Sequence, residues 1–142
     1  MTSTVGRSNA EVVVYGATSA GVCAAVAASR NGARVVLLEP GRHVGGMTSG
    51  GLGYTDIGDA RVLGGMARRL RNDIADHYGV APGRYAGPEP HVAEDIYLRW
   101  LEEAGVEVLF GARVAWADVV DGRIRSIGTV SGLRVAGGVF VD

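Results

Sequence analysis

The sequence has little of several features that mark other classes of protein. Cys23 is its one cysteine, so no disulfide can form within the chain, which is typical of a reducing compartment. The formal net charge is only −1, whereas a nucleic-acid-binding surface would be basic. Its apolar runs fall well short of the about 20 residues that a transmembrane helix needs, and the first eleven residues are polar, unlike a secretory signal. We therefore expect a cytoplasmic protein that binds neither nucleic acid nor membrane.

Glycine and hydrophobic residues, by contrast, are abundant. The 142 residues include 23 glycines, and 47% are hydrophobic. This length fits one domain with a sizeable core. The glycines stand between strand-like and helix-like runs, which indicates tight turns and close backbone approaches rather than low complexity.

Residues 11–39 have the pattern of a strand, a helix and a second strand. Residues 11–15, EVVVY, and residues 34–39, RVVLLE, are short β-branched runs typical of buried strands. Residues 19–30 between them are rich in alanine and are followed by Asn31-Gly32, a helix stop. Two such strands joined by a helix predict a right-handed βαβ unit with parallel strands.

The glycines of this unit suit a bound dinucleotide. Gly16 permits a sharp turn off the first strand, and Gly21 permits close packing of the helix, whose N-terminus favours a pyrophosphate. Thr18 replaces the middle glycine of the usual pattern. Glu39, at the end of the second strand, could accept hydrogen bonds from both hydroxyls of an adenosine ribose and would repel the 2′-phosphate of NADP. The alternative is a turn that uses glycine only for packing.

The rest of the chain predicts an α/β fold. A long glycine-rich loop over residues 40–59 is of a length that is usually functional. Helices are predicted at 64–78 and 91–104, and a third buried strand at 106–110. Residues 112–137 then predict an antiparallel β-meander with tight turns at Asp121-Gly122 and Ser131-Gly132. Residues 138–141 are expected to join the parallel sheet as its fourth strand.

Several longer motifs resemble one enzyme family. The motifs are YGATSAG, HVGGMTSGGLG and LGGMARRL, followed by GPEPHVAEDIYLRWLEEAGVEVLFGARV. Together they resemble the FAD-dependent oxidoreductases with a glutathione-reductase-like flavin domain, and more narrowly the xanthan-lyase-like branch. The resemblance covers most of the chain from Glu11 onward. The connection rules for parallel strands predict a Rossmann-like sheet in the order 3-2-1-4, with the meander to one side. Residues 1–10 are expected to be a disordered tail.

The resemblance also implies FAD as cofactor and a set of binding residues. The group expected at the pyrophosphate is Gly16, Thr18, Ser19, Ala20 and Gly21. Glu39, followed by Pro40, would hold the adenosine ribose, and the backbone of Val114 would read the adenine edge. The group expected along the phosphates and the ribityl chain is Gly45, Gly46 and Met47. The group expected near the flavin ring is Thr48, Ser49, Gly50 and Gly51.

The implied activity is hydride transfer from an unknown small-molecule substrate to FAD. No catalytic residue is identified. Members of the family usually continue the last strand with a segment like ATGDGD and carry a substrate domain, and neither follows Asp142. We therefore expect an N-terminal portion that is not catalytically competent alone and that self-associates through incomplete sheet edges. Two alternatives stay open: the NAD-binding domain of a dehydrogenase, and a truncated nucleotide-binding remnant.

Some conspicuous residues have plain structural interpretations. His43 could carry covalent FAD but is expected to be a polar loop residue. Cys23 is expected to be a buried structural cysteine, because it has no partner thiol and no basic neighbourhood. His77 and His91 lack partners at zinc-binding spacing, so no metal is expected.

The remaining candidates are a pair of aromatic residues, a group of arginines and two acids. Trp100 and Trp116 are expected in a core or an interface. The arginines are expected on a solvated helix face, with contact to a phosphate or to a further domain as the alternative: Arg68, Arg69 and Arg71. Asp56 and Asp59 could face the active site.

Overall fold

The computed structural model describes residues 7–84 and 87–142. Its strands form one six-stranded sheet in the order β3-β2-β1-β6-β5-β4. The strands are β1 (Arg7–Tyr15), β2 (Val35–Glu39), β3 (Glu107–Phe110), β4 (Val114–Val120), β5 (Arg123–Thr129) and β6 (Arg134–Val141). The neighbours from β3 to β6 are parallel, and β5 is antiparallel to both β6 and β4. The predicted α/β class and the 3-2-1-4 order of the parallel strands are confirmed.

Within the described residues, three α-helices accompany the sheet. They are α1 (Ser19–Arg30), α2 (Gly65–His77) and α3 (Pro90–Glu103), and a short 3-10 helix spans Ala60–Val62. The bounds of α1 match the prediction, and those of α2 and α3 differ from it by one residue at each end. No helix among the described residues has the length and apolar character to cross a membrane.

Strand β1 separates two cores because its side chains alternate between the faces of the sheet. Val14 packs with Leu37 and Trp100 in a cluster on the face covered by the helices. Val13 packs in the second cluster with Ile127, which comes from the meander strand β5. Strand β5 of the meander thus contributes a side chain to the core on the face of the sheet opposite the helices.

Two predicted boundaries were wrong. Strand β1 begins at Arg7 and pairs with β6 from Arg7 opposite Arg134 onward, so residues 7–10 are strand and not a disordered tail. The pairing supplies backbone hydrogen bonds that the polar side chains of this segment gave no reason to expect. Residues 1–6 of the predicted tail lie outside the described residues. Strand β6 is also continuous from Arg134 to Val141, so the meander does not end at residue 137 but continues the parallel sheet.

Candidate functional site

The turn between β1 and α1 depends on its two glycines. Gly16 has a φ of +90°, and its N–H donates to the carbonyl of Leu38 on β2 at 2.7 Å. A Cβ on Gly21 would lie under 3.0 Å from the Gly16 carbonyl oxygen. Gly16 therefore supplies a left-handed conformation that favours glycine, and Gly21 permits the close approach of the helix, as the pattern predicted.

The N-terminus of α1 has a free backbone donor. The Thr18 hydroxyl caps the helix by accepting a hydrogen bond from the N–H of Gly21 at 3.1 Å. Within the described part of the chain, the N–H of Ala20 has no acceptor. No acidic side chain occupies the first turn, and Ala20 is exposed. A helix end of this kind attracts an anion such as a pyrophosphate.

Glu39 joins the end of β2 to this turn. One carboxylate oxygen accepts from the N–H of Ala17 at 2.8 Å, and the other accepts from the N–H of Gly41 at 2.6 Å. An ionised carboxylate has about four acceptor positions, so each oxygen keeps one for another donor. Glu39 is half-buried and can therefore bind two ribose hydroxyls from a fixed position.

The second glycine segment lies directly against the first turn. The N–H of Gly45 donates to the carbonyl of Ala17 at 2.6 Å, and the Ser19 hydroxyl donates to the carbonyl of Gly45 at 2.9 Å. A Cβ on Gly46 would lie 3.3 Å from Cα and Cβ of Thr18. The two segments form one backbone-lined cradle, and its open donor, its glycines and the adjacent carboxylate fit the diphosphate and ribose of FAD.

The loop after the glycine pair folds back on itself. The carbonyl of Met47 accepts from the N–H groups of Gly50 and Leu52, and Gly51 has a φ of +103°. The side chains of Met47, Leu52 and Tyr54 are 74%, 69% and 78% exposed. Such a concentration of exposed apolar side chains indicates a surface that contacts a ligand or another part of a protein.

Thr48 and Ser49, which the resemblance placed near the flavin ring, differ in direction. The Thr48 hydroxyl lies 2.9 Å from the Ser19 hydroxyl at the start of α1. The Ser49 hydroxyl donates to the carbonyl of Val44 within its own loop. Thr48 therefore belongs to the cradle, whereas Ser49 stabilises the loop.

The segment between β3 and β4 borders the ribose side of the cradle. The N–H of Ala112 donates to the carbonyl of Glu39, and the N–H of Gly111 donates to the carbonyl of Gly41, each at 2.9 Å. Pro40 lies between these two carbonyls in the chain. The N–H of Val114 is 3.4 Å from the Tyr15 hydroxyl, a long hydrogen bond that an adenine could replace. These contacts bring Val114 to the side of the site where the resemblance expected it.

Glu94 on α3 is a contributor that the sequence did not indicate. Its carboxylate accepts from the N–H of Val44 at 3.1 Å and lies 3.0 Å from Nδ1 of His43. The Glu94 side chain is 21% exposed and that of His43 is 79% exposed. Glu94 thus anchors the approach to the glycine pair, and His43 contacts this carboxylate and solvent. No local pattern could have revealed a contact that spans about fifty residues of chain.

Tyr97 and Trp100 of α3 lie in the core beneath the glycine pair, with the Tyr97 ring against Gly45. A Cβ on Gly45 would lie 2.7 Å from the Tyr97 ring, which explains why only glycine fits there. Burial raises the pKa of the Tyr97 phenol, and hydrogen bonding to Ser19 and Thr48 partly offsets that rise. Trp100 is fully buried and donates from Nε1 to Asp73 at 2.7 Å. The core position predicted for Trp100 is confirmed, whereas Trp116 on β4 is 46% exposed.

The three arginines of α2 do not share one solvated face. Arg69 stacks 4.6 Å from the centre of the Trp100 ring and pairs with Glu103 at 2.8 Å, so the solvated-face prediction was wrong for this residue. Arg68 is exposed, and Arg71 is half-buried. Successive helical positions are rotated by about 100°, which separates these side chains.

Cys23 and Asp59 have environments that disfavour reactive roles. Cys23 is half-buried rather than fully buried as expected. Burial raises the pKa of its thiol, which disfavours the reactive thiolate. The Arg61 side chain lowers the pKa of Asp59, which weakens this carboxylate as a base. Asp59 also caps the 3-10 helix through the N–H of Arg61. Asp56 is exposed.

A cavity of about 320 Å³ adjoins the cradle. It lies among α1, α2, α3 and the loop over residues 53–63, and it is lined largely by apolar side chains. Ser19, Ala20 and Thr48 line it at the end that faces the cradle. A pocket of this volume is in the range of small-molecule sites, about 300–1,000 Å³.

The parallel sheet, the capped helix end and Glu39 define a dinucleotide-binding α/β domain. The family model described as FAD dependent oxidoreductase matches residues 11–142. The chain belongs to the FAD-dependent oxidoreductase family, and FAD is its cofactor. The family match thereby favours FAD over the NAD alternative. No curated protein matches the chain by sequence.

Several solved structures share the fold. The 3-ketosteroid-Δ4-(5α)-dehydrogenase of Rhodococcus jostii RHA1 is 20% identical, with 99% of this chain and 47% of that chain covered and a TM-score of 0.61. The L-amino acid deaminase of Proteus vulgaris is 14% identical, with 98% and 54% covered and a TM-score of 0.66. THI4 of Thermovibrio ammonificans is 20% identical, with 94% and 57% covered and a TM-score of 0.59. The chain thus spans about half the length of these proteins.

Proposed function

We propose that this chain forms the nucleotide side and part of the flavin side of the cofactor site in an oxidoreductase that transfers a hydride from a small molecule to FAD. The observation that carries the proposal is the cradle. The Gly45 N–H bonds to Ala17 in the first turn, and the Glu39 carboxylate bonds to the same residue. One short turn therefore brings together a helix N-terminus, a glycine pair and a ribose-binding carboxylate.

Each part of the cradle has a separate task. The N-terminus of α1 would hold the diphosphate through its backbone N–H groups. Glu39 would hold the ribose and select against a 2′-phosphate. Bound FAD supplies the redox chemistry, while the protein binds and orients it.

Flavin absorbance tests the proposal directly. The purified chain is incubated with excess FAD, desalted and scanned in the visible range. Retained flavin bands are expected if residues 1–142 hold the cofactor, and a parallel titration with NADH should show much weaker binding. A colourless protein with no quenching of FAD fluorescence at any concentration would reject cofactor binding by this chain and would favour the remnant alternative.

The Glu39→Ala variant tests the ribose role. Loss of this carboxylate should weaken FAD binding by about 1–3 kcal/mol, the usual effect of leaving polar partners unpaired. Glu102→Ala is a matched control, because Glu102 is an exposed carboxylate on α3. Titration of FAD fluorescence gives both affinities. Equal affinity in the wild type and in Glu39→Ala would remove Glu39 from the site.

We also propose self-association through the outer strands. β4 is an edge strand, and its Trp116, Val119 and Val120 are 46%, 56% and 45% exposed. An apolar edge strand is prone to pair with another copy. Val119→Lys places a charge on this edge and should therefore reduce the dimer fraction in sedimentation experiments several-fold. Arg68→Lys, a control at an exposed position of α2, should leave the dimer fraction unchanged. A wild type that stays monomeric at high concentration would contradict this proposal.

We further propose a cytoplasmic location. The single cysteine supports it, because secreted domains commonly depend on disulfides. Fractionation of cells that produce the protein at native level would test the location.

A further inference from the structure

The cavity beside the cradle has the lining of a binding site for an apolar molecule. Met66, Leu70 and Ile74 of α2 and Trp100 of α3 contribute to its walls. Met66 and Leu70 are half-buried, so part of their surface remains available. Contact with a ligand would remove this apolar surface from water, which stabilises a complex by about 25 cal/mol for each Å² buried.

Three hydroxyl groups meet at the end of the cavity that faces the cradle. They belong to Ser19, Thr48 and Tyr97, all of which line the cavity. The hydroxyls of Ser19 and Thr48 lie 2.9 Å apart. The Tyr97 phenol is protonated at neutral pH, like an ordinary tyrosine, and can donate a hydrogen bond; burial raises its pKa further. This end of the cavity can therefore bind a polar substituent of an otherwise apolar molecule.

Arg71 adds a charge to the lining. Of the described residues that line the cavity, it alone is charged. Its neighbour Arg69 pairs with Glu103, whereas no acidic side chain pairs with Arg71 in the part of the chain that the structure describes. A guanidinium binds a carboxylate through two parallel hydrogen bonds. A ligand with a carboxylate could therefore supply the partner that Arg71 lacks.

The position of the cavity connects it to the reaction. Ser19 and Ala20 begin α1, and the same residues line the cavity, so the cavity starts where the nucleotide cradle ends. We propose that this cavity binds the substrate, and that the substrate is a small apolar carboxylate with a ring-sized body. The body packs against Met66 and Trp100, and the carboxylate pairs with Arg71. This inference rests on the proposed function, because only a redox cofactor in the cradle makes a neighbouring ligand a substrate.

A pair of matched probes tests the ligand class. 1-Naphthoate and 1-naphthamide have nearly the same size and differ in charge. Equilibrium dialysis against the full chain, with and without saturating FAD, gives the affinity of each. We expect naphthoate to bind about tenfold or more tightly than naphthamide, the effect of one charged hydrogen-bonded pair. Added FAD should leave naphthoate binding in place.

Variants of α2 identify the group responsible. Arg71→Gln should remove the preference for naphthoate, and Arg71→Lys should keep most of it. Arg68→Gln removes the same charge from an exposed position of the same helix and should change nothing. Circular dichroism checks that each variant is folded.

The possible outcomes separate this inference from the proposed function. Displacement of naphthoate by FAD would assign the cavity to the cofactor and overturn the inference. Equal binding of the two probes, no binding of either, or a preference that survives Arg71→Gln would also overturn it. A chain that binds no FAD yet keeps an Arg71-dependent preference would reject the proposed function for this chain and, with it, the substrate role, leaving an anion-binding cavity.

Discussion

Helix α1 begins between two sites that are built in different ways. On one side, the cradle is made of backbone: Gly16, Gly21 and Gly45 allow segments to approach closely, and carbonyl and N–H groups join them. On the other side, the cavity is made of side chains from three helices and a loop. The backbone site demands glycine at fixed positions, whereas the cavity accepts many combinations of apolar residues. This difference explains why the sequence pattern predicts the cradle but does not predict the cavity.

The largest expected effect comes from breaking the backbone site. In Gly21→Ala the new methyl group would collide with the Gly16 carbonyl, and neither atom can move without shifting a strand or a helix. Overpacking of this kind costs about 1–3 kcal/mol and occasionally more. We expect a loss of about 3 kcal/mol in the free energy of unfolding, measured with urea, together with the loss of FAD binding.

Gly58→Ala is the control for this variant. A Cβ at Gly58 would have no neighbour within 4 Å, so its unfolding midpoint should remain near that of the wild type. If Gly21→Ala and Gly58→Ala are equally stable, α1 can move away from the Gly16 carbonyl without loss of stability. The close-packing explanation of Gly21 would then be wrong.

The same difference in construction sets what the sequence could reveal. Gly16, Gly21 and Glu39 could be singled out from their spacing because the strand, turn, helix and strand that position them are consecutive in the chain. Glu94 and Tyr97 were missed because they reach the glycine pair from α3 through tertiary contacts. The early start of β1 at Arg7 was missed for a similar reason, since its pairing with β6 joins segments that lie far apart in the chain.

A medium effect, on FAD affinity, is expected where a side chain of α3 holds the backbone of the cradle. Glu94 is a side chain that holds the backbone of Val44, next to the glycine pair. In Glu94→Ala the Val44 N–H loses a charged acceptor, an interaction that contributes about 1.5–3 kcal/mol. We expect FAD affinity to fall about tenfold, because the loop no longer holds Gly45 and Gly46 in place.

The adjacent residue provides the control for Glu94. Asp95 is an exposed carboxylate on the same turn of α3, and Asp95→Ala should leave FAD affinity unchanged. Glu94→Gln should restore part of the affinity, because its amide oxygen can still accept from Val44. If Glu94→Ala and Asp95→Ala bind FAD equally well, the glycine pair holds its conformation without help from α3.

The smallest effect is a loss in the free energy of unfolding at alkaline pH, and it arises from two residues that line the cavity, Cys23 and Tyr97. Burial raises the pKa of the Cys23 thiol above 9.0 and that of the Tyr97 phenol above 10.0. The folded state therefore retains protons that the unfolded state has released, and the free energy of unfolding falls as pH rises through this range. At neutral pH the stabilisation is fully present, and it is lost as the pH rises from the pKa that each group has in the unfolded chain to the higher pKa that it has in the folded chain. The sequence contains no lysine, so no side-chain ammonium group adds to the loss in this range.

Urea unfolding between pH 8 and pH 11 measures this loss. In Cys23→Ala the decline that begins near pH 9 should disappear, and in Tyr97→Phe the decline above pH 10 should be smaller. Binding of FAD to the cradle should raise the free energy of unfolding of the wild type and of both variants by a similar amount at each pH, because ligand binding stabilises the folded state by mass action. If instead the decline in Tyr97→Phe matched that of the wild type, the Tyr97 phenol would ionise as readily in the folded chain as in the unfolded one. The hydroxyl-lined end of the cavity would then be open to water rather than buried behind Gly45.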